Sequence, residues 1–75
     1  MNSKSRKQIG RLREQLEQIK AQFEEIQQEE QQKLENVPEA LQDGNAAQDM
    51  EAASSALGEV VDHLDSAISS LDEIV

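Results

Sequence analysis

Residues 36–45, NVPEALQDGN, separate two long segments whose apolar residues recur at helical spacing. Pro38 lacks an amide hydrogen and disfavours helical backbone at Val37, so it ends the first helix. Asn36 and Glu39 have the spacing of a capping box, which indicates a single helical turn inside the connection. The stretch therefore predicts a capped turn between two long helices.

The far end of this turn predicts where the second helix begins. Gly44 can adopt the left-handed conformation that terminates a helix, and Asn45 stands three residues before Gln48 in another capping pattern. We therefore expect helices at about residues 3–35 and 45–75, within one domain that spans the whole chain.

Apolar residues on both sides of the turn alternate steps of three and four, which is typical of the seam between two packed helices. The first seam is Ile9, Leu12, Leu16, Ile19, Phe23 and Ile26, and the second is Met50, Ala53, Leu57, Val60, Leu64, Ala67, Leu71 and Ile74. Folding the chain at the turn pairs positions whose numbers sum to about 81, such as Leu16 with Leu64. The fold class predicted is an all-α, antiparallel two-helix hairpin.

The second helix carries another apolar row beside its seam, formed by Val61, Ile68 and Val75. A single narrow partner helix cannot cover both rows, and 75 residues barely suffice for one hydrophobic core. We therefore expect these three residues to mediate self-association, with two hairpins forming a four-helix bundle.

Composition excludes several classes of protein. The chain has no Cys and a single aromatic residue, Phe23, so it lacks thiolate ligands and stacking platforms for bases or flat cofactors. No apolar run approaches the ~18 residues of a transmembrane helix, and no signal sequence is evident. We expect a cytoplasmic protein without cofactors that does not bind membranes or, directly, nucleic acids.

Charge is distributed very unevenly along the chain. Residues 1–20 contain six basic and two acidic residues, whereas residues 21–75 contain one lysine and fourteen acids. Many of these acids converge on the turn, where a basic protein or a site that binds nucleic acid could recognise them. This candidate partner surface consists of Glu24, Glu25, Glu29, Glu30, Glu35, Glu39 and Asp43. The alternative is a solvated surface without a partner.

Side chains that could perform chemistry are sparse. His63 has Glu59 and Asp62 nearby in sequence, but there is no second His and the spacing differs from that of di-iron bundles. Neighbouring acids diverge around a helix, and the serines lack an evident base. We therefore predict no catalytic, cofactor-binding or metal-binding residues and no enzymatic activity.

The sequence resembles a group of short acidic helical proteins of bacteriophages and prophages. The resemblance is carried by Glu29-Glu30, by Asn36-Val37-Pro38-Glu39-Ala40-Leu41-Gln42 and by the acidic, Ala-rich helix that follows. It implies a phage-linked origin, and thus the host cytoplasm, without implying an activity. The function expected is a non-enzymatic protein–protein interaction module, a phage or prophage accessory protein that acts through helix packing. The alternative is an acidic decoy or inhibitor that occupies a nucleic-acid-binding surface of another protein.

Overall fold

The chain folds into an antiparallel helical hairpin, as predicted. The computed structural model describes residues 1–41 and 44–75, and within these ranges it contains two long α-helices and no strand. Helix α1 is Ser3–Glu35, a short 3-10 turn follows at Glu39–Leu41, and helix α2 is Asn45–Asp72. The helices pack side by side in a rod whose Cα atoms extend over 59 × 14 × 12 Å.

Both ends of α1 follow from local sequence. The Asn2 side chain accepts a hydrogen bond from the Ser5 amide at 2.8 Å, which satisfies a backbone donor that the first helical turn leaves unpaired. At the other end Asn36 keeps helical backbone angles and closes α1, two residues before Pro38. The single helical turn predicted inside the connection is present as a 3-10 turn, in which the Leu41 amide donates to the Pro38 carbonyl at 2.8 Å.

The start of α2 differs from the prediction in detail. Gly44 has φ −74° and ψ 161°, which is extended backbone and not the left-handed conformation, and it occupies the N-cap position itself. Asn45 is consequently the first helical residue, and no side chain caps the helix. The helix ends at Asp72, because the last residues form a turn in which the Val75 amide bonds to the Leu71 carbonyl at 3.1 Å.

Burial identifies an inner row on each helix, again with steps of three and four. On α1 the inner row is Ile9, Arg13, Leu16, Lys20, Phe23, Gln27, Glu30 and Leu34, and on α2 it is Ala47, Met50, Ser54, Leu57, Val61, Leu64, Ile68 and Leu71. Both helices are therefore rotated relative to the predicted seams. Leu16 and Phe23 stay inside, while Leu12, Ile19 and Ile26 are exposed.

The predicted register is also wrong, by about one helical turn. Arg13 pairs with Asp72 and Lys20 with Asp65, so opposed positions have numbers that sum to 85 instead of about 81. Two physical gains accompany the rotation. It brings two cations of α1 within reach of carboxylates on α2, and it buries Ile68 in place of the smaller Ala67.

The hairpin has a thin hydrophobic core. Within the described part of the chain, the most buried hydrophobic residues are Ala47 and Ile68, with exposed fractions of 3% and 6%. Ser54 is also buried, and its hydroxyl donates to Gln31 Oε1 at 3.3 Å. Two helices in contact leave most of their circumference in water, so little apolar area stabilises the isolated hairpin.

Replacing Ile68 with Ala should lower the free energy of unfolding by about 2–4 kcal/mol, because the buried side chain leaves a cavity. The matched control is Val75→Ala, at a position that is half exposed, and should change stability by less than about 0.5 kcal/mol. Urea titration followed by far-UV circular dichroism measures both. Equal effects of the two substitutions would contradict the burial of Ile68.

Gly10→Ala should stabilise the protein by about 0.5–1 kcal/mol, since alanine favours helix and a Cβ at this position meets nothing within 4 Å. Gly58→Ala should gain less, because its Cβ would lie 3.1 Å from the Gln27 side-chain nitrogen on the facing helix. Thermal denaturation of the two variants gives the comparison. A larger gain at Gly58 than at Gly10 would contradict this packing.

Candidate interaction surfaces

One face of the hairpin, here called the ion-paired face, is crossed by two salt bridges. Arg13 reaches Asp72 on α2, with Nη2 donating to Oδ2 at 3.2 Å, and it also pairs with Glu17 at 3.2 Å. One heptad further along, Lys20 pairs with Asp65 across the hairpin and with Glu24, at 3.5 Å, on its own helix. The two clusters repeat the same arrangement, so they define the rotation of both helices.

The guanidinium of Arg13 donates a hydrogen bond to Asp72 and the ammonium of Lys20 donates one to Asp65, and these bonds raise the pKa of both basic groups. A raised pKa means that the charged form is favoured in the folded state. For Lys20 the resulting stabilisation is complete below the ordinary lysine pKa of 10.5 and is lost as pH rises through the raised pKa of the folded state. The carboxylates are more than half exposed, so salt weakens these pairs, whose main effect is on register.

The opposite side of the hairpin is apolar. Glu17 and Glu24 each follow an inner residue of α1, as Asp65 and Asp72 do on α2. Inner residues are spaced alternately three and four apart, and the residue just before the end of each four-residue step lies on the other flank of its helix. Such residues form one row on α1 and one on α2. Because the helices are antiparallel, the two rows lie on the same side of the hairpin. We call this surface the apolar face. It consists of Leu12, Ile19 and Ile26 of α1, of Val60 and Ala67 of α2, and of Ile74 in the turn that follows α2.

The apolar face is accessible to solvent. Exposed fractions are 55% for Leu12, 41% for Ile19, 44% for Ile26, 36% for Val60 and 38% for Ile74. Single exposed apolar residues are normal on proteins, but a continuous row of branched side chains over two helices is characteristic of a binding surface. The exposed apolar surface of this face is therefore continuous, as in a binding surface, and not a set of scattered single residues.

The apolar face is also uncharged, in a chain whose net charge is −9. Its borders are formed on α1 by Gln8, Gln15 and Gln22 and on α2 by Ala56, His63 and Ser70. None of these twelve residues is Lys, Arg, Asp or Glu, and the charged side chain at the edge is Arg11, which lines a concavity with Gln8, Leu12 and Gln15. Depletion of charge around an apolar centre is the compositional signature of the core of a protein–protein interface.

The residues predicted for self-association lie elsewhere. Ile68 is buried and Val61 half-buried between the two helices, so the interpretation of these residues as an uncovered row is wrong. Val75 is 50% exposed at the end of the chain, beyond α2. One pattern in the sequence could have predicted the correct rotation of the helices. Arg13 and Lys20 are seven residues apart, as are Asp65 and Asp72, so the two pairs can meet across an antiparallel hairpin.

The residues of the predicted acidic surface do not all lie on one side of the hairpin. Glu24 and Glu30 are half-buried and pair with Lys20 and with Lys33, the latter at 3.1 Å. The remaining described members are exposed and point in several directions around α1 and the connection: Glu25, Glu29, Glu35 and Glu39. Asp43 lies outside the described residues. The turn end is therefore acidic on all sides and does not form one directed patch.

Groups suited to chemistry are dispersed. His63 is exposed beside the apolar face, and the described residues include no group of three His, Cys, Asp or Glu side chains that could hold a metal ion. Within the same ranges, neither helix is long and apolar enough to cross a membrane. The chain matches no protein-family model, and no match was found among curated proteins or solved structures.

Reversing one charge of a cross-helix pair should expose its contribution to the register. Lys20→Asp places two carboxylates opposite each other and should lower the melting temperature, whereas adding Asp65→Lys should restore part of the loss. The control is Arg11→Asp, the same charge change at an exposed position. Thermal circular dichroism at low and high salt measures all three. Failure of the double variant to recover would argue against the pairing.

Proposed function

We propose that this protein is a non-enzymatic interaction module that acts through helix packing, and that its first partner is a second copy of itself. The observation that supports this function is the apolar face, a row of exposed branched side chains without charge on a strongly acidic protein. Two such faces in contact would form a four-helix bundle. The thin core of one hairpin supports the proposal further, since a second copy supplies the missing apolar burial.

A second copy fits this face better than a charged partner does. Each hairpin carries a net charge of −9, so two copies repel at most orientations. The apolar face is where that repulsion is least, because none of its six residues is charged and the first carboxylate along its α1 border is Glu29, one turn beyond Ile26. Isologous association through a self-complementary patch is also the commonest form of protein oligomer.

We further propose that the module is a phage or prophage accessory protein of the host cytoplasm, a role supported by its resemblance to short acidic phage proteins. Its support is the sequence Asn36-Val37-Pro38-Glu39-Ala40-Leu41-Gln42 and the acidic helix that follows. In such a role the bundle would present its outer surface to a host or phage protein.

An acidic decoy is the second candidate, supported by the exposed glutamates Glu25, Glu29, Glu35 and Glu39. Ionic strength separates the two functions. Binding of a decoy to a basic site weakens steeply with salt, whereas association through apolar side chains persists. We favour helix packing because the acidic residues of the turn end surround the rod, while the apolar residues converge on one face.

The purified protein should have twice its 8.4 kDa chain mass by size-exclusion chromatography with light scattering at micromolar concentration. The double variant Ile19→Gln, Ile26→Gln should shift it to a monomer, since it places amides at the centre of the apolar face. Leu41→Gln, at an exposed leucine away from this face, should leave the mass unchanged. A folded wild-type monomer under these conditions would overturn the proposal.

A further inference from the structure

We propose that the two copies pack antiparallel, so that the turn end of one hairpin lies beside the chain termini of the other. The inference rests on the proposed function and specifies its geometry. In this arrangement the two-fold axis lies in the interface, perpendicular to the helices, and passes over Ile19 of α1 and Ala67 of α2. Each α1 then contacts the partner's α1, and each α2 contacts the partner's α2, with neighbouring helices antiparallel throughout.

The charge pattern of α1 supports this orientation. Up to residue 20 the chain carries six basic and two acidic residues, whereas residues 21–35 carry five glutamates and one lysine. Two α1 helices in antiparallel contact place the basic half of each beside the acidic half of the other. With the axis at Ile19, the exposed Arg11 of one copy lies at a level between those of the exposed Glu25 and Glu29 in the other.

The opposite orientation has a two-fold axis along the length of the hairpin. It would bring the two turn ends together, where Glu25, Glu29, Glu35 and Glu39 of both copies are exposed. Like charges within a Debye length, about 8 Å at physiological salt, repel each other appreciably. Charge complementarity therefore selects the antiparallel arrangement over the parallel one.

The position of the axis follows from the apolar residues. Across the face, Leu12 lies level with Ile74, Ile19 with Ala67, and Ile26 with Val60, which gives three apolar layers. An axis through the middle layer sets the first layer of one copy against the third of the other, so that every layer meets an apolar layer. At this axis Lys33, the next residue of the α1 row, lies level with Ser5 of the other copy and outside the three apolar layers.

This axis also gives a contact of adequate size. Ile19 is the midpoint of α1, which spans Ser3–Glu35, so the two α1 helices overlap completely. At 1.5 Å per residue and about 10 Å of helix width, α1 contributes roughly 500 Å² and the overlapping half of α2 roughly 200 Å². Both copies together bury roughly 1,400 Å², which is within the range of stable protein–protein interfaces.

Distance measurement between spin labels tests the orientation. Because the chain has no Cys, Asn36→Cys provides a unique attachment site, and it lies away from the apolar face. Asn36 is 17 residues from the proposed axis, so its labels should be about 50 Å apart in the antiparallel dimer. In the parallel dimer the same labels should lie within about 25 Å. Pulsed electron paramagnetic resonance resolves these distances.

Cross-linking with a short bismaleimide gives an independent readout. Ile19→Cys should form a covalent dimer by itself, because the two copies of this position meet at the axis. In the parallel arrangement Ile19 would instead face Ala67 of the other copy, so only a mixture of Ile19→Cys and Ala67→Cys chains would cross-link efficiently. Glu59→Cys, exposed on the outer side of α2, is the control and should remain uncross-linked in either arrangement.

The outcomes separate the two proposals. A dimer with Asn36 labels near 50 Å and efficient cross-linking at Ile19 supports the antiparallel arrangement. A dimer with labels within about 25 Å overturns the orientation and leaves the interaction module standing. A folded monomer overturns the proposed function, and the arrangement with it. Since Asn36→Cys leaves the apolar face intact, weakened association of Ile19→Cys would not prevent the distance measurement from deciding.

Discussion

The placement of Arg13 and Lys20 in the inner row of α1 is the constraint on which the rest of the hairpin depends. Long basic side chains at inner positions can reach across the helix pair, and both end on carboxylates of α2. Their stems cover apolar surface while the charged groups remain near water. Once these residues face inward, the periodicity of the helix moves Leu12, Ile19 and Ile26 to the outside.

The same constraint divides the hairpin into two unlike faces. Carboxylates and their partners occupy one side, and branched apolar residues occupy the other. The inner row of α1 mixes Leu16 and Phe23 with polar side chains, whereas the inner row of α2 is apolar apart from Ser54. The apolar face, by contrast, is formed by residues of both helices together.

This explains what the sequence could and could not predict. Helix ends depend on local chemistry, so Pro38 and the helical spacing predicted α1 and the start of α2 closely. The rotation of each helix depends on contacts between distant residues. Choosing the most apolar stripe as the seam overlooked that Ile68 is larger than Ala67 and that charges seven residues apart match across the turn. As a result, Val61 and Ile68, which lie between the two helices, were predicted to be on the surface.

The thin core between α1 and α2 has a consequence for how the protein exists in a cell. A hairpin with so little buried apolar area is marginally stable alone, and a partner that binds only the folded form adds to its stability by mass action. In the proposed dimer that partner is the chain itself. Folding then depends on the concentration of the chain. At low concentration the chains would be monomeric, unfold and be degraded, whereas at high concentration they would dimerise, and the dimer would resist proteolysis.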